Sequence, residues 1–171
     1  MKRHILDTLK KWQKNNDRLP LLLRGARQVG KTYIIEYFGE SCFESLLTIN
    51  FEYQIEYRDC FNSLNPQDII NNIQAISRQK IIPGKTLLFL DEIQECPQAI
   101  QSLRYFKEQM PQLHVIGAGS LLEFILNDAD FRMPVGRVQY IYIKPLSFLE
   151  YLGASGNDNI IENFNNINSI N

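Results

Sequence analysis

The stretch "LPLLLRGARQVGKT" covers residues 19–32 and joins a short apolar run to a segment that contains two glycines. Its second half fits the pattern G-x-x-x-x-G-K-[ST] at Gly25, Gly30, Lys31 and Thr32. Glycines in such a loop allow positive φ angles and turn backbone N–H groups toward phosphate oxygens. The stretch therefore predicts a phosphate-binding loop between a buried strand and a helix. The alternative is an ordinary strand–helix turn with the same letters.

Each residue type in this loop has a chemical reason to be there. The N–H groups at the start of the following helix would face the anion, assisted by the helix dipole. Lys31 would bring a positive charge to the β- and γ-phosphates of a nucleotide, and the Thr32 hydroxyl would bind Mg²⁺. The predicted nucleotide-binding residues are Gly25, Ala26, Arg27, Gln28, Val29, Gly30, Lys31, Thr32 and Tyr33.

Strand-like and helix-like segments alternate along the chain. Apolar runs predict strands at residues 19–25, 46–51, 86–92, 113–120 and 137–143. Between and around them, helices are predicted near the N-terminus and at residues 31–39, 66–79, 97–110, 121–129 and 145–152. Such alternation favours an α/β fold with a parallel sheet and right-handed crossovers. Ligands of such sheets bind at the carboxyl ends of the strands.

The run "TLLFLDE" supports the nucleotide hypothesis independently, because it ends on two carboxylates. Asp91, at the carboxyl end of a buried strand, would hold Mg²⁺ through water. Glu92 would orient or deprotonate an attacking water, as a general base does. A glutamate in this place favours hydrolysis over transfer of the phosphoryl group to a second substrate.

Polar residues near the ends of the other strands are further candidates. Asn50 and Glu52 could restrain Glu92, or could simply make hydrogen bonds at the end of a strand. Ser120 in "GAGS" could contact the γ-phosphate or the water, although the glycines there could serve close packing alone. Arg137 in "PVGRV" could reach the nucleotide of a neighbouring subunit, or could be a solvated or salt-bridged arginine.

Composition limits the other possibilities. With 171 residues, 44% of them hydrophobic, and a net charge of −1, the chain suits one compact domain with no global attraction to nucleic acid or anionic membrane. No apolar run approaches the roughly 20 residues of a membrane-spanning helix. Three separated cysteines predict reduced thiols and a cytoplasmic location. With only two histidines a zinc site is not expected, and we interpret His114 as structural.

The order of the motifs resembles that of a known family. "LLLRGARQVGKT", "INFE", "LLFLDEIQECPQA", "LRYFKE", "HVIGAGSLLEF" and "PVGRVQYIYIKPLSFLEYL" are similar to segments of prokaryotic AAA-type P-loop ATPases, which pair an N-terminal ATP-binding domain with a C-terminal domain of unknown function. The resemblance implies a three-layer P-loop NTPase fold of AAA/ASCE type, with a parallel five-stranded sheet in the order 5-1-4-3-2. It also implies ATP and Mg²⁺ as ligands.

Site residues carry over from the family by position. Lys31 and Thr32 match the Walker A motif, Asp91 and Glu92 the Walker B pair, and Ser120 the sensor position. Arg137 matches the arginine of "GRV", whose role is open. The predicted catalytic residues are therefore Glu92, Lys31, Ser120 and Arg137, and the predicted metal-binding residues are Thr32 and Asp91.

We expect residues 1–152 to form the ATP-binding domain, N-terminal helix included, and residues 153–171 to be a poorly ordered, Asn-rich tail in place of the C-terminal domain. The leading hypothesis is Mg²⁺-dependent ATP hydrolysis with an unknown client. The alternatives are a nucleotide-gated switch with negligible turnover and the ATPase half of a DNA-associated protein. ATP or ADP is the expected partner and a homo-oligomer is left open. Membrane association and direct nucleic-acid binding by this domain are not expected.

Overall fold

The computed structural model of the chain describes residues 5–120, 122, 136–148 and 150. Helices and strands alternate through these residues, as the sequence predicts. The strands are β1 (Leu21–Arg24), β2 (Ser45–Asn50), β3 (Thr86–Asp91), β4 (His114–Ala118) and β5 (Gln139–Tyr142). The helices are α1 (Ile5–Lys14), α2 (Lys31–Cys42), α3 (Pro66–Ser77) and α4 (Pro97–Gln109), with short 3-10 helices at Ile55–Phe61 and Ile93–Glu95.

The five strands form one parallel sheet in the order β2-β3-β4-β1-β5. This confirms the predicted fold class and strand order. The strand that precedes the glycine-containing loop, β1, lies between β4 and β5, while β3 lies between β2 and β4. Because all neighbours are parallel, the carboxyl ends of β1, β3 and β4 meet at one edge of the sheet.

Helices cover both faces of the sheet and give three layers. Alternate residues of each inner strand point to opposite faces, so that Leu21 and Leu23 pack with α1 and α2 while Leu22 packs with α3 and α4. Strand β3 is buried along its whole length, as its continuous apolar run predicts. The two apolar cores hold the sheet rigid beneath its carboxyl edge.

Element boundaries differ from the prediction in instructive places. Helix α2 ends at Cys42, not near Gly39, because Gly39 keeps a helical backbone and accepts a hydrogen bond from the Phe43 N–H (3.1 Å). Gly39 serves packing instead, since a Cβ there would lie 2.8 Å from Leu46 Cδ1. The helices predicted over residues 121–129 and 145–152 lie largely or partly outside the described residues. No helix in the described ranges has the length and apolar character to cross a membrane.

His114 is a structural residue at the amino end of β4, as the sequence suggests. Its ring is 5% exposed and meets the rings of Trp12 and Phe43 edge-on. Nε2 lies 3.2 Å from Gln13 O, and Nδ1 lies 3.4 Å from Arg18 Nη2. A carbonyl can only accept and a guanidinium can only donate, so the imidazole is neutral with its proton on Nε2. Burial lowers the pKa of His114 to about 4.

We predict that His114 makes the fold sensitive to acid. The unfolded chain binds a proton at His114 near the ordinary pKa of 6.5, whereas the folded chain binds it only near 4. The His114 contribution to the free energy of unfolding is therefore complete above pH 6.5 and falls by about 3 kcal/mol between pH 6.5 and 4. Urea unfolding across this range should show that loss in the wild type and a shallower slope in His114→Phe. Equal slopes would contradict the assignment.

Candidate functional site

The candidate site lies at the carboxyl edge of the sheet, where the chemistry-bearing residues of three strands converge. The loop at residues 25–30 follows β1, Asp91 ends β3, and Ser120 follows β4. Strand pairing places Asn50 of β2 beside Asp91 and Leu90 beside Gly117. The parallel topology thus assembles residues that are up to about ninety-five positions apart in the sequence.

The backbone of loop 25–30 needs its glycines. Gly25 has φ 154° and faces the backbone oxygen of Ile143 so closely that a Cβ would overlap it. Gly30 has φ 81° and forms the amino-terminal cap of α2. Gln28 also has positive φ, at 62°. A run of such conformations turns successive N–H groups toward one concavity, which is the arrangement that binds anions.

Lys31 is the buried cation of the loop, with 6% of its surface exposed. Its Nζ donates hydrogen bonds to the backbone oxygens of Gly25 (3.0 Å) and Ala26 (2.8 Å). Burial lowers the pKa of Lys31, and the nearby carboxylates of Glu92 and Asp91 oppose that shift. The ammonium is thus held inside the loop by neutral acceptors, with anionic groups close by.

Thr32 and Asp91 form a hydroxyl–carboxylate pair next to this cation. Thr32 Oγ1 donates to Asp91 Oδ2 at 2.9 Å, and Asn50 Nδ2 donates to the same oxygen at 3.3 Å. Asp91 is 3% exposed, and its burial raises the pKa of the carboxyl group against the lowering effect of the Thr32 hydrogen bond. Hydroxyl and carboxylate oxygens are the ligands that Mg²⁺ prefers. Groups of three or more metal-binding acids, histidines or cysteines are absent from the described residues.

Glu92 sits at a strained turn between β3 and the 3-10 helix that follows. Its backbone is left-handed, with φ 46° and ψ 46°, a conformation that costs an L-residue about 1–2 kcal/mol. Gln94 Nε2 donates a hydrogen bond to Glu92 Oε2 at 2.6 Å. The partner of the glutamate is therefore Gln94, two residues further on.

The sequence left open whether Asn50 and Glu52 restrain Glu92 or make hydrogen bonds at the end of a strand. Asn50 binds Asp91 with its amide nitrogen, and its Oδ1 accepts hydrogen bonds from the N–H groups of Glu52 and Tyr53. The Glu52 side chain is exposed. Asn50 is thus the strand-end hydrogen-bonding residue of the alternative interpretation. Sequence reasoning missed Gln94, although a polar side chain two residues after Glu92 was the available signal.

The end of β4 contains two glycines for reasons of space, in agreement with the packing interpretation. A Cβ on Gly117 would lie 2.7 Å from Ile93 Cδ1, and one on Gly119 would overlap Gln94 Oε1. Ser120 comes next, and its buried Oγ has no hydrogen-bond partner among the described residues. A buried hydroxyl without a partner is unusual and costs free energy. Ser120 therefore offers a free polar atom at this edge of the sheet.

Arg137 lies apart from these residues. It precedes β5, next to the point where Gln139 N donates to Pro20 O before β1 begins. This is the amino edge of the parallel sheet, opposite the loop at residues 25–30. Its Nε lies 3.6 Å from Glu108 Oε1 of α4, and half of the side chain is exposed. Arg137 and the loop of its own chain are therefore on opposite edges of the sheet.

A cavity of about 410 Å³ opens beside the glycine-containing loop. Tyr33 lines it together with Pro145 and Leu146, and residues 26–30 form its remaining wall. The Tyr33 ring is 55% exposed and stacks against that of Tyr37, with centroids 6.4 Å apart. The cavity presents an aromatic face and two apolar side chains next to the backbone of loop 25–30, which is the composition of many small-molecule sites.

Residues 17–152 match the family model described as an AAA domain. The chain belongs to the AAA domain family. The family and the fold together make it a nucleotide-binding domain of the ATPase type, in agreement with the resemblance noted in the sequence. No curated protein has a sequence that matches this chain.

Solved structures resemble the AAA domain in fold, and 235 of their chains match it. One is a Walker-type ATPase of Pyrococcus abyssi, with a TM-score of 0.57 and 19% identity over 90% of this chain and 57% of that one. Another is Drosophila ORC bound to DNA, with a TM-score of 0.58 and 15% identity over 86% of this chain and 44% of that one. This AAA domain thus spans about half the length of either protein.

Proposed function

We propose that this AAA domain binds ATP with Mg²⁺ at the carboxyl edge of its sheet and hydrolyses it. The observation that carries the proposal is the convergence of Lys31, Thr32 and Asp91 beside Glu92. A buried ammonium, a hydroxyl–carboxylate pair and a second carboxylate are the groups that phosphoryl transfer to water requires. The client of the reaction is left open, and the free thiols of Cys42, Cys60 and Cys96 support a cytoplasmic location.

The residues present fit the ligands that the proposal needs. Lys31 Nζ has two neutral oxygens as its hydrogen-bond partners, so an anionic phosphate would replace them with a stronger interaction. The unpartnered Ser120 Oγ could donate to a phosphate oxygen or to water. Thr32 and Asp91 would hold Mg²⁺, the aspartate through water, and the bound metal would neutralise charge on the phosphates.

Glu92 would perform the proton transfer. Gln94 engages its Oε2, and its Oε1 accepts no hydrogen bond from a described residue. That second oxygen could accept the proton of a water positioned against the terminal phosphate. Lys31 and the N–H groups of the loop would stabilise the charge that develops on the phosphate oxygens.

The cavity beside Tyr33 suits the base of the nucleotide. It adjoins the loop at residues 26–30, and its walls are formed by an aromatic ring, Pro145 and Leu146. A base that stacks on the exposed face of Tyr33 would extend from phosphates held at Lys31. The sequence-predicted binding set from Gly25 to Tyr33 would then contact the phosphates at one end and the base at the other.

Arg137 would act on the nucleotide of a neighbouring subunit. Its position at the amino edge of the sheet keeps it from the nucleotide of its own chain, and the Nε of its half-exposed side chain lies 3.6 Å from Glu108 Oε1. In a homo-oligomer that places this edge against the loop of the next copy, Arg137 would meet the phosphates there. The arginine is therefore proposed to act between copies, as an arginine finger does.

The binding half of the proposal is tested with Lys31→Ala. Removal of the buried ammonium should abolish the stabilisation of the fold by ATP, because it takes away the main charge that holds the phosphates. At a hundred times Kd, ATP should stabilise the wild type by about 2.7 kcal/mol. Thermal unfolding with and without ATP measures the difference, and Lys80→Ala, which changes an exposed lysine, is the control. An ATP-dependent shift that survives in Lys31→Ala would refute the phosphate assignment.

The base cavity is tested with Tyr33→Ala, for which Tyr37→Ala is a matched control. Both rings lie on the exposed side of α2, but only Tyr33 lines the cavity. We expect Tyr33→Ala to weaken ATP binding about tenfold, since stacking of a base on an aromatic ring contributes about 1–3 kcal/mol. Titration calorimetry with ATP and with inorganic triphosphate separates the base from the phosphates. Equal losses for the two tyrosine variants would place the base elsewhere.

The hydrolytic half is tested with Glu92→Gln. Steady-state phosphate release should fall by about 10²-fold or more, because the variant keeps the shape of the side chain but loses the base. ATP-dependent stabilisation should persist. Glu56→Gln, on an exposed side chain, controls for the charge change. If wild type and Glu92→Gln bind ATP and release phosphate equally slowly, the domain is a nucleotide-gated switch and not a hydrolase.

A further inference from the structure

Gln94 connects the candidate base to the end of strand β4. It lies in the 3-10 helix Ile93–Glu95, and only 9% of its surface is exposed. One end of its amide donates a hydrogen bond to Glu92 Oε2 at 2.6 Å. The other end, Oε1, is buried against Gly119 and has no hydrogen-bond partner in the part of the chain that the structure describes. A glutamine that is buried with half of its amide unsatisfied needs a reason.

The chemistry of the contact fixes which way the amide points. A carboxylate only accepts hydrogen bonds, so the NH₂ group must face Glu92 and the carbonyl must face Gly119. The short distance fits a hydrogen bond to a charged acceptor. Gln94 thus occupies one Glu92 oxygen with a donor that cannot take up a proton. The other oxygen of Glu92, Oε1, remains available to accept a proton from water.

Gly119 packs against the carbonyl end of the Gln94 amide and keeps it in this position. Its φ lies outside the left-handed region, so the glycine is required for space and not for backbone conformation. A Cβ there would overlap Gln94 Oε1 and lie 3.2 Å from Cδ, so that the amide would have to move. The backbone at Gly119 therefore acts as a stop for the Gln94 side chain.

We propose that Gln94 is a positioning residue that aims Glu92 at the attacking water, and that Gly119 keeps Gln94 in place. The inference rests on the proposed hydrolysis and deepens it, because it explains how a glutamate on a strained turn is held in one orientation. Gln94 does not contact the reacting atoms. Its effect passes through the Glu92 carboxylate.

The main test compares steady-state ATP hydrolysis by wild type and Gln94→Met, with Gln109→Met as control on an exposed glutamine of α4. Gln94→Met keeps the volume and removes the donor. We expect kcat to fall about 10- to 100-fold, the usual cost of losing a residue that orients a catalytic group, while KM and ATP-dependent stabilisation stay unchanged. In a Glu92→Gln background, Gln94→Met should lower kcat no further, because both substitutions remove the same function, a correctly oriented base.

A second pair of variants distinguishes positioning from packing. Gly119→Ala leaves Gln94 intact but displaces its amide, and it should reproduce the loss of kcat. Gln94→Glu places two carboxyl groups within hydrogen-bond distance, so they share one proton only as pH falls. Its kcat relative to wild type should therefore rise with decreasing pH, whereas Gln94→Met, which cannot donate a hydrogen bond at any pH, should give a constant ratio.

The outcomes separate this inference from the proposed function. A wild-type chain that binds ATP without turnover overturns both. Turnover by the wild type, with unchanged kcat in Gln94→Met and Gly119→Ala, overturns the role of Gln94 alone. Additive losses in the Gln94→Met and Glu92→Gln double variant also overturn it.

Discussion

One hydrogen bond, from Thr32 Oγ1 to Asp91 Oδ2 at 2.9 Å, sets the geometry of the site. It joins the first turn of α2 to the end of β3, although β4 separates β3 from β1 in the sheet. The end of β4 must therefore pass close beneath the bridge. At Gly117 the core excludes a side chain, since a Cβ would lie 2.9 Å from Leu22 Cδ1 and 2.7 Å from Ile93 Cδ1. The two glycines of "GAGS" thus leave room for Leu22, Ile93 and Gln94.

The buried charges at this edge do not favour the stability of the ligand-free fold. Burial lowers the pKa of Lys31 and raises that of Asp91, and both directions mean that the charged form is penalised. The left-handed backbone of Glu92 adds strain. Perturbed groups and strain that coincide at one edge of a rigid sheet are characteristic of a site shaped by its ligand. The two apolar cores beneath supply the stability that the site does not.

Sequence patterns predict those features of the molecule that regular secondary structure determines. Buried apolar runs gave the five parallel strands, and the G-x-x-x-x-G-K-T pattern placed the loop and the start of α2 at Lys31. The predicted end of α2 near Gly39 was wrong. Gly39 makes room for the Leu46 side chain, and no local sequence pattern reports this tertiary contact. Gln94 was missed for the same reason. Its hydrogen bond is to Glu92, two residues away, but the contact that holds its amide comes from Gly119, which the β3–β4 pairing brings close.

In the proposed function, nucleotide binding and hydrolysis depend on different parts of this edge. Loop 25–30 and Lys31 are built on β1 and α2, whereas Glu92 and Gln94 stand on the end of β3 and are supported by β4. A change in the second group would leave the phosphate-binding backbone intact. If the proposal holds, an ATPase and a slow nucleotide-gated switch could share this fold and its loop, and the orientation of the Glu92 carboxylate would be the physical difference between them.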